Sequence, residues 1–338
     1  METSLRVIQF FGRDAARRVG LVSDCGTLVY TLRGTNRMYD LACDALRDGV
    51  RIEEIIIDRK SNETDTLDHI LGERRILIPF DHPDPYHHII TGTGLSHLGS
   101  ASARDAMHSK ISQTESSLTD SMKMFKWGVE GGKPPTGHLG AQPEWFYKGD
   151  GSCVVNPESS LSWPAYALDG GEEVEIVGIY LISPQSEVFR IGFALANEYS
   201  DHVMERQNYL YLAHSKLRQC SYGPELLLGD LPDSVAGTAK LIRSNETIWQ
   251  DAWTSGNDNM CHSVNNLEQH HFKYREFRRP GDIHIHFLGA ATGSFTKQIA
   301  TQEGDTFEIS SDTFGAPLRN TLAQKVDGPS LPIAIKNL

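Results

Sequence analysis

Long apolar runs, an excess of basic charge and paired cysteine motifs are all missing from this 338-residue chain. No stretch approaches the roughly 20 apolar residues that cross a bilayer, and the opening METSLRVIQF has no basic segment leading into an apolar one. Neither a membrane span nor a secretory signal is expected. Lys and Arg number 32 against 44 Asp and Glu, a net charge of −12 that repels phosphate backbones and anionic lipid. Nucleic acids and membranes are therefore not the expected partners. The five cysteines, Cys25, Cys43, Cys153, Cys220 and Cys261, are an odd, scattered set with no CxxC, which argues against a disulfide framework and a Cys zinc site. A reducing cytoplasm fits that usage, and the sequons at Asn62 and Asn245 read as chance. Internal repeats and low-complexity tracts are also absent, and 39% hydrophobic with 22% charged residues is an ordinary globular balance.

The pattern of what is present is β-rich α+β. Residues 1–78 read as a small N-terminal α+β domain: short strands in LRVIQFFGRDAARRVGLVSDCGTLVYTL, a helical spacing over 38–57, then a polar stretch from 60 to 68. Prolines 79, 83 and 85 mark a boundary, after which residues 79–338 form the expected second domain. Within it, residues 101–140 are rich in Ser, Met, Lys and Gly and read as a mobile insertion or lid, with helices expected over 101–110 and 118–129. From residue 165 the runs EEVEIVGIYLI, VFRIGFALAN, GTAKLIRSNETIWQ, IHIHFLGA and DTFEIS predict at least five strands in a rolled or closed mixed sheet. Helices over 202–220 and 263–277 are expected to pack outside it.

Several side chains are candidates for chemistry. Glu173 and Glu175 stand two apart on an expected strand, so both carboxylates leave one face. They are either a solvated strand face or, with Glu198 in the cluster Asn197-Glu198-Tyr199-Ser200-Asp201-His202, an oxygen site for a hard cation such as Mg²⁺. Lys148 and Lys216 are ordinary surface lysines or, in a desolvated cleft near a metal, proton carriers. His97 follows a glycine-rich loop whose G-x-G-x-x-G pattern fails, so it is a structural or a catalytic imidazole and not part of a dinucleotide site. His284 and His286 share a strand face without the Glu that a cupin-type metal site needs nearby, and packing is the favoured reading. His270 and His271 are placed on a helix flank.

Taken in order, RILIPFDHPDPYHHIITGTGLSHL, PEWFYKGDGSCVVNP, EEVEIVGIY, GFALANEYSDH, SKLRQCSYGPELL and RRPGDIHIHFLGAATG resemble successive blocks of the fumarylacetoacetate hydrolase superfamily, over roughly residues 75–309. The resemblance implies a β-roll catalytic domain, metal ligands Glu173, Glu175 and Glu198 for Mg²⁺ or Mn²⁺, and catalytic Lys216, Lys148 and His97. It also implies substrate contacts from Phe146, Asn197, Gly289 and Thr292. Hydrolases of this family carry Glu three residues after the entry-loop His, where this chain has Ser100, so the water-activating dyad is missing. The insertion and the GAQPEWFYKGDGS block are similar to a sugar-acid branch of 2-keto-3-deoxy-pentonate dehydratases. That similarity implies a cytoplasmic lyase, a homodimer or higher oligomer, converting a 2-keto-3-deoxy-pentonate to 2,5-dioxopentanoate. The competing expectations are hydrolytic C–C cleavage of a 2,4-diketo acid, decarboxylation of a 2-keto acid, and a sugar-acid-binding protein without turnover.

Overall fold

Two apolar runs, Val174–Ile182 and Val188–Asn197, pair antiparallel along their whole length and form the hairpin around which the molecule is arranged. The first is buried at every position, as a strand covered on both faces must be. The computed structural model describes residues 5–99, 118–326 and 332–338. In it this hairpin sits inside a 13-stranded sheet, and a second sheet has five strands. Strand directions are mixed. Most neighbours are antiparallel, but Ile283–Phe287 runs parallel to His88–Gly92, and Leu318–Val326 parallel to Ser160–Pro164. The expected sheet-rich, mixed α+β character is present.

Alternation along the hairpin divides its side chains between two cores. Val177, Ile179, Ala194 and Ala196 face a cluster closed by Met38, Leu41, Ala42 and Ile56 from two helices. Val174, Ile176, Phe193 and Leu195 face the other way, onto Leu161, Leu241, Phe307, Ile309 and Leu322 of the five-stranded sheet. The strands before residue 78 belong to the large sheet, since Arg6–Phe11 pairs with Leu226–Leu228, and Val7, Val19 and Leu21 lie in the cluster with Val177.

Several local expectations need correction. The helical spacing over 38–57 is two helices, Met38–Asp48 and Ile52–Arg59, because Gly49 adopts φ 66° and ends the first. The polar stretch 60–68 contains the strand Lys60–Thr66, which lies at the outer edge of the sheet, where a Lys- and Glu-bearing sequence belongs. GTAKLIRSNETIWQ is a hairpin and not one strand, turned at Ser244 and Asn245, which both have positive φ. The region 202–220 breaks into His202–Gln207, a 3₁₀ turn at Tyr209–Tyr211, Leu212–Lys216 and the strand Cys220–Tyr222. Of the insertion, residues 100–117 lie outside the described residues, as does the helix expected over 101–110. The helix expected over 118–129 is Asp120–Gly131. Its glycines let it lie close against the 261–262 backbone and side chains, where a β-carbon on Gly128 or Gly132 would collide with His262 or the Cys261 carbonyl.

Candidate metal centre

Where the hairpin ends, the backbone places three acids together. Glu173 immediately precedes Val174–Ile182, Glu175 lies within it, and Glu198 follows Val188–Asn197, its N–H donating to the Glu173 carbonyl at 3.1 Å. One carboxylate oxygen from each lies within 4.8 Å of the other two, and all three side chains are buried. Desolvation pushes the Glu175 pKa well above the usual carboxylate range, and the charges of Glu198 and Glu173 push it the same way. Burial also raises Glu198, against the pull of Lys148 and Lys216.

Two buried lysines meet this cluster. The Lys148 ammonium donates to Glu198 Oε1, to the Tyr199 carbonyl at 2.8 Å and to the Lys216 carbonyl at 2.9 Å. Lys216 Nζ donates to Glu173 Oε1, to Glu198 Oε2 at 2.6 Å and to Ser200 Oγ at 3.2 Å, and it lies 5.3 Å from the Phe146 ring. With all three acids ionised the cluster carries one more negative charge than its two ammonium groups offset, and the upward push on Glu175 and Glu198 reflects a burial and repulsion that a cation relieves. Three converging oxygen donors from carboxylates, without sulfur or imidazole, suit a hard divalent ion. The residues present therefore fit Mg²⁺ or Mn²⁺.

Around the acids lies a supporting layer that sequence reading left without roles. His202 sits between Asp169 Oδ2 at 3.5 Å and Glu173 Oε1 at 3.1 Å, and stacks on Phe295 at 4.7 Å. Burial disfavours its charge, yet the two carboxylates prevail and raise its pKa to about 10. The N–H of Gly289 donates to Glu175 Oε2 at 2.8 Å from a backbone at φ 107°, and a β-carbon there would collide with Ser96 Oγ. The signal for His202 was its place in the acidic NEYSDH cluster, and for Asp169 its nearness to Glu173 in the chain.

The remaining expected site residues turn or bond elsewhere through their side chains, although Thr292 pairs through its backbone with Val174, between Glu173 and Glu175. Asn197 lies between Ala196 and Glu198 and pairs with Val174, so alternation turns its side chain to the face opposite Glu198. The Thr292 hydroxyl donates to Asp251 Oδ2 at 2.9 Å. His97 is buried, with Nε2 2.8 Å from Ser255 Oγ and Nδ1 3.2 Å from Ser96 Oγ, and burial lowers its pKa to about 4. Ser100 lies outside the described residues. His284 and His286 are buried beneath His271, whose Nε2 is 3.0 Å from His284 Nδ1; His270 and His271 lie on the helix Val264–Phe272, as expected, on a side turned to the interior. Among the described residues no helix is long and apolar enough to cross a membrane.

No family model and no curated protein sequence matches the chain. Solved structures do. A hexagonal crystal form of 2-keto-3-deoxyarabinonate dehydratase aligns over 96% of this chain and 100% of its own, with TM-score 0.65 and 16% identity. The 2-keto-3-deoxy-D-arabinonate dehydratase complexed with magnesium and 2,5-dioxopentanoate aligns over the same shares, with TM-score 0.64 and 15% identity. The 5-carboxymethyl-2-hydroxymuconate delta-isomerase from Mycobacterium smegmatis covers 95% of this chain and 100% of its own, with TM-score 0.53 and 13% identity. At such identities the likeness is one of architecture, and over nearly its whole length this chain has the fumarylacetoacetate hydrolase type of fold.

Proposed function

We propose that the chain is a Mg²⁺- or Mn²⁺-dependent hydro-lyase that dehydrates a 2-keto-3-deoxy-pentonate to 2,5-dioxopentanoate. The observation that carries this reading is the buried set of three carboxylates with two lysines hydrogen-bonded onto it. Its negative charge favours a divalent ion, whose charge in turn favours a 2-keto acid monoanion, so each occupant offsets the charge already present in a low-dielectric interior. The magnesium and 2,5-dioxopentanoate named for one structural neighbour point to the same chemistry.

Glu173, Glu175 and Glu198 would hold the cation, with Gly289 N–H and His202 orienting two of them. A divalent cation there supplies Lewis acidity, making the C3 protons of a chelated 2-keto acid removable near neutral pH. The two lysines are not equivalent. Two of the three hydrogen bonds of Lys148 go to backbone carbonyls, so this lysine ties Glu198 to the chain around it. The carboxylate bonds of Lys216 use oxygens for which a cation would compete, so its ammonium would release a proton to solvent when the site fills, and the neutral Nζ is then the group to take a C3 proton. The ammonium so formed hands its proton to the departing C4 hydroxyl, and water leaves. A proton shift from C5 to C3 then gives the C4–C5 enol, and transfer of its hydroxyl proton to C4 gives the aldehyde. His97, neutral down to about pH 4 and bonded to Ser255, is a poor acid for that step.

Purified protein incubated with Mg²⁺ and a panel of 2-keto-3-deoxy-pentonate stereoisomers should yield a product lighter by one water with the carbon chain intact. Cleavage into two carbon fragments, or turnover of none of them, would overturn the assignment.

A further inference from the structure

The two lysine-bearing segments share a second, unassigned feature. Five residues beyond Lys148 stands Cys153, and four beyond Lys216 stands Cys220. Cys153 ends the 3₁₀ turn Gly151–Cys153, and the next strand, Val154–Val155, pairs in parallel with Cys220–Tyr222, with Cys220 opposite Val154. A spacing of about 4.8 Å across the strands and about 3.3 Å along them puts the two Cα atoms about 6 Å apart. A disulfide spans roughly 4.4–6.8 Å. Both cysteines pack on one apolar cluster, and the neighbouring Cys220 lowers the Cys153 pKa below the usual 9. Cys153 is half-buried, whereas Cys220 is buried. Gly149 leaves the room: a β-carbon there would press on Cys153 Sγ. Of the other cysteines, Cys25 is exposed and bonded to Ser23 and Thr27, and Cys261 donates to the Leu95 carbonyl.

We infer that Cys153 and Cys220 are a dithiol that peroxide converts to a reversible disulfide, stapling together the segments that carry Lys148 and Lys216. The Cys153 sulfur attacks hydrogen peroxide, breaking the O–O bond to give a sulfenic acid and water. The Cys220 sulfur then attacks that sulfenic sulfur, the S–O bond breaks, and the hydroxide leaves as water with the Cys220 proton. One peroxide is reduced to two waters and two thiols are oxidised. A dithiol reductant reverses the bond.

The test uses the full chain with Cys25→Ser, which removes the exposed competing thiol and leaves four. After about one equivalent of hydrogen peroxide, thiol titration in denaturant should fall from four to two. Peptide mapping should find Cys153 joined to Cys220, and reductant should restore four. Adding Cys153→Ser, a near-isosteric change at a half-buried position, should leave three thiols before and after peroxide. Four thiols surviving in the parent, a different cysteine pair, or Cys153 oxidised alone with Cys220 still reduced would each overturn the inference. Counting thiols does not depend on the reaction catalysed, so failure here and failure of the dehydratase reading are separate results.

Discussion

Lys148 and Lys216 have fully buried side chains on the same acids, and replacing each by Met separates what they do. Lys148→Met leaves Glu198 Oε1 and two carbonyls without their donor in a water-free space. The loss is about 3–5 kcal/mol of stability by urea denaturation, and added Mg²⁺ does not recover it, because an ion on the acids does not reach the carbonyls. Lys216→Met removes the bonds to Glu173, Glu198 and the Ser200 hydroxyl, so Mg²⁺ on the acids should restore most of the stability while turnover stays at least about 100-fold down. Identical responses of the two variants to Mg²⁺ would refute the division of roles. Glu175 gives a complementary case, since it suffers desolvation and the repulsion of two other acids. Glu175→Gln should leave the metal-free protein as stable as before or more so, and abolish the rise in melting temperature with Mg²⁺. Gly289→Ala puts a β-carbon into Ser96 at a φ that L-residues avoid and displaces the N–H on Glu175. Weaker Mg²⁺ binding by calorimetry is the expected result, and unchanged affinity would contradict that role.

Among the elements, the sequence made legible whatever depends on alternation and charge type. EEVEIVGIY announces both a buried strand and its acidic entry, and NEYSDH announces the end of its partner. The breaks were harder to read. Gly49 splits an apolar spacing that would otherwise run on as one helix, and Ser244-Asn245 turns back a run that alternates well enough to be a single strand. Strand face was also hidden at Asn197, which is next to Glu198 but alternates onto the face shared with its partner Val174. The imidazoles show how element packing changes chemistry: His88, His284 and His286 come from two parallel neighbouring strands, and His271 covers the latter two. Burial lowers His88 to about 4 and His284 and His286 to about 3. A base whose folded pKa lies below its unfolded value of about 6.5 contributes stability fully above pH 6.5 and loses it as pH falls toward 4 and 3. Urea midpoints should therefore drop steadily below about pH 6, and they should also decline as pH rises above about 7, where the unfolded chain has lost the proton that His202 keeps to about pH 10 in the folded state. His286→Gln should flatten part of that drop; a slope unchanged in this variant would exclude His286 as a contributor.

On the scale of the whole molecule, the site gathers residues 148, 173–175, 198–202, 216 and 289, which the chain keeps far apart. Their meeting depends on the hairpin Val174–Ile182 and Val188–Asn197 being in register and on the strand Ile283–Phe287 delivering Gly289 beside Glu175. A cation bound by these groups favours the folded state only, because the unfolded chain disperses them. At a Mg²⁺ concentration about 100 times Kd this linkage amounts to about 2.7 kcal/mol. Spread over the unfolding entropy of a chain this long, about 2.1 cal/mol/K per residue, it raises the melting temperature by about 4 °C. With a net charge of −12, loose binding of Mg²⁺ to surface carboxylates is also expected, but it is screened by salt within about 8 Å at physiological ionic strength. Binding at the buried acids is not. Scanning calorimetry with Mg²⁺ against EDTA, at low salt and at about 0.3 M NaCl, should show a rise that persists in high salt and vanishes in Glu173→Ala. A rise that disappears with NaCl, or survives in Glu173→Ala, would place the Mg²⁺ on the surface and remove the metal centre from the reading of this fold.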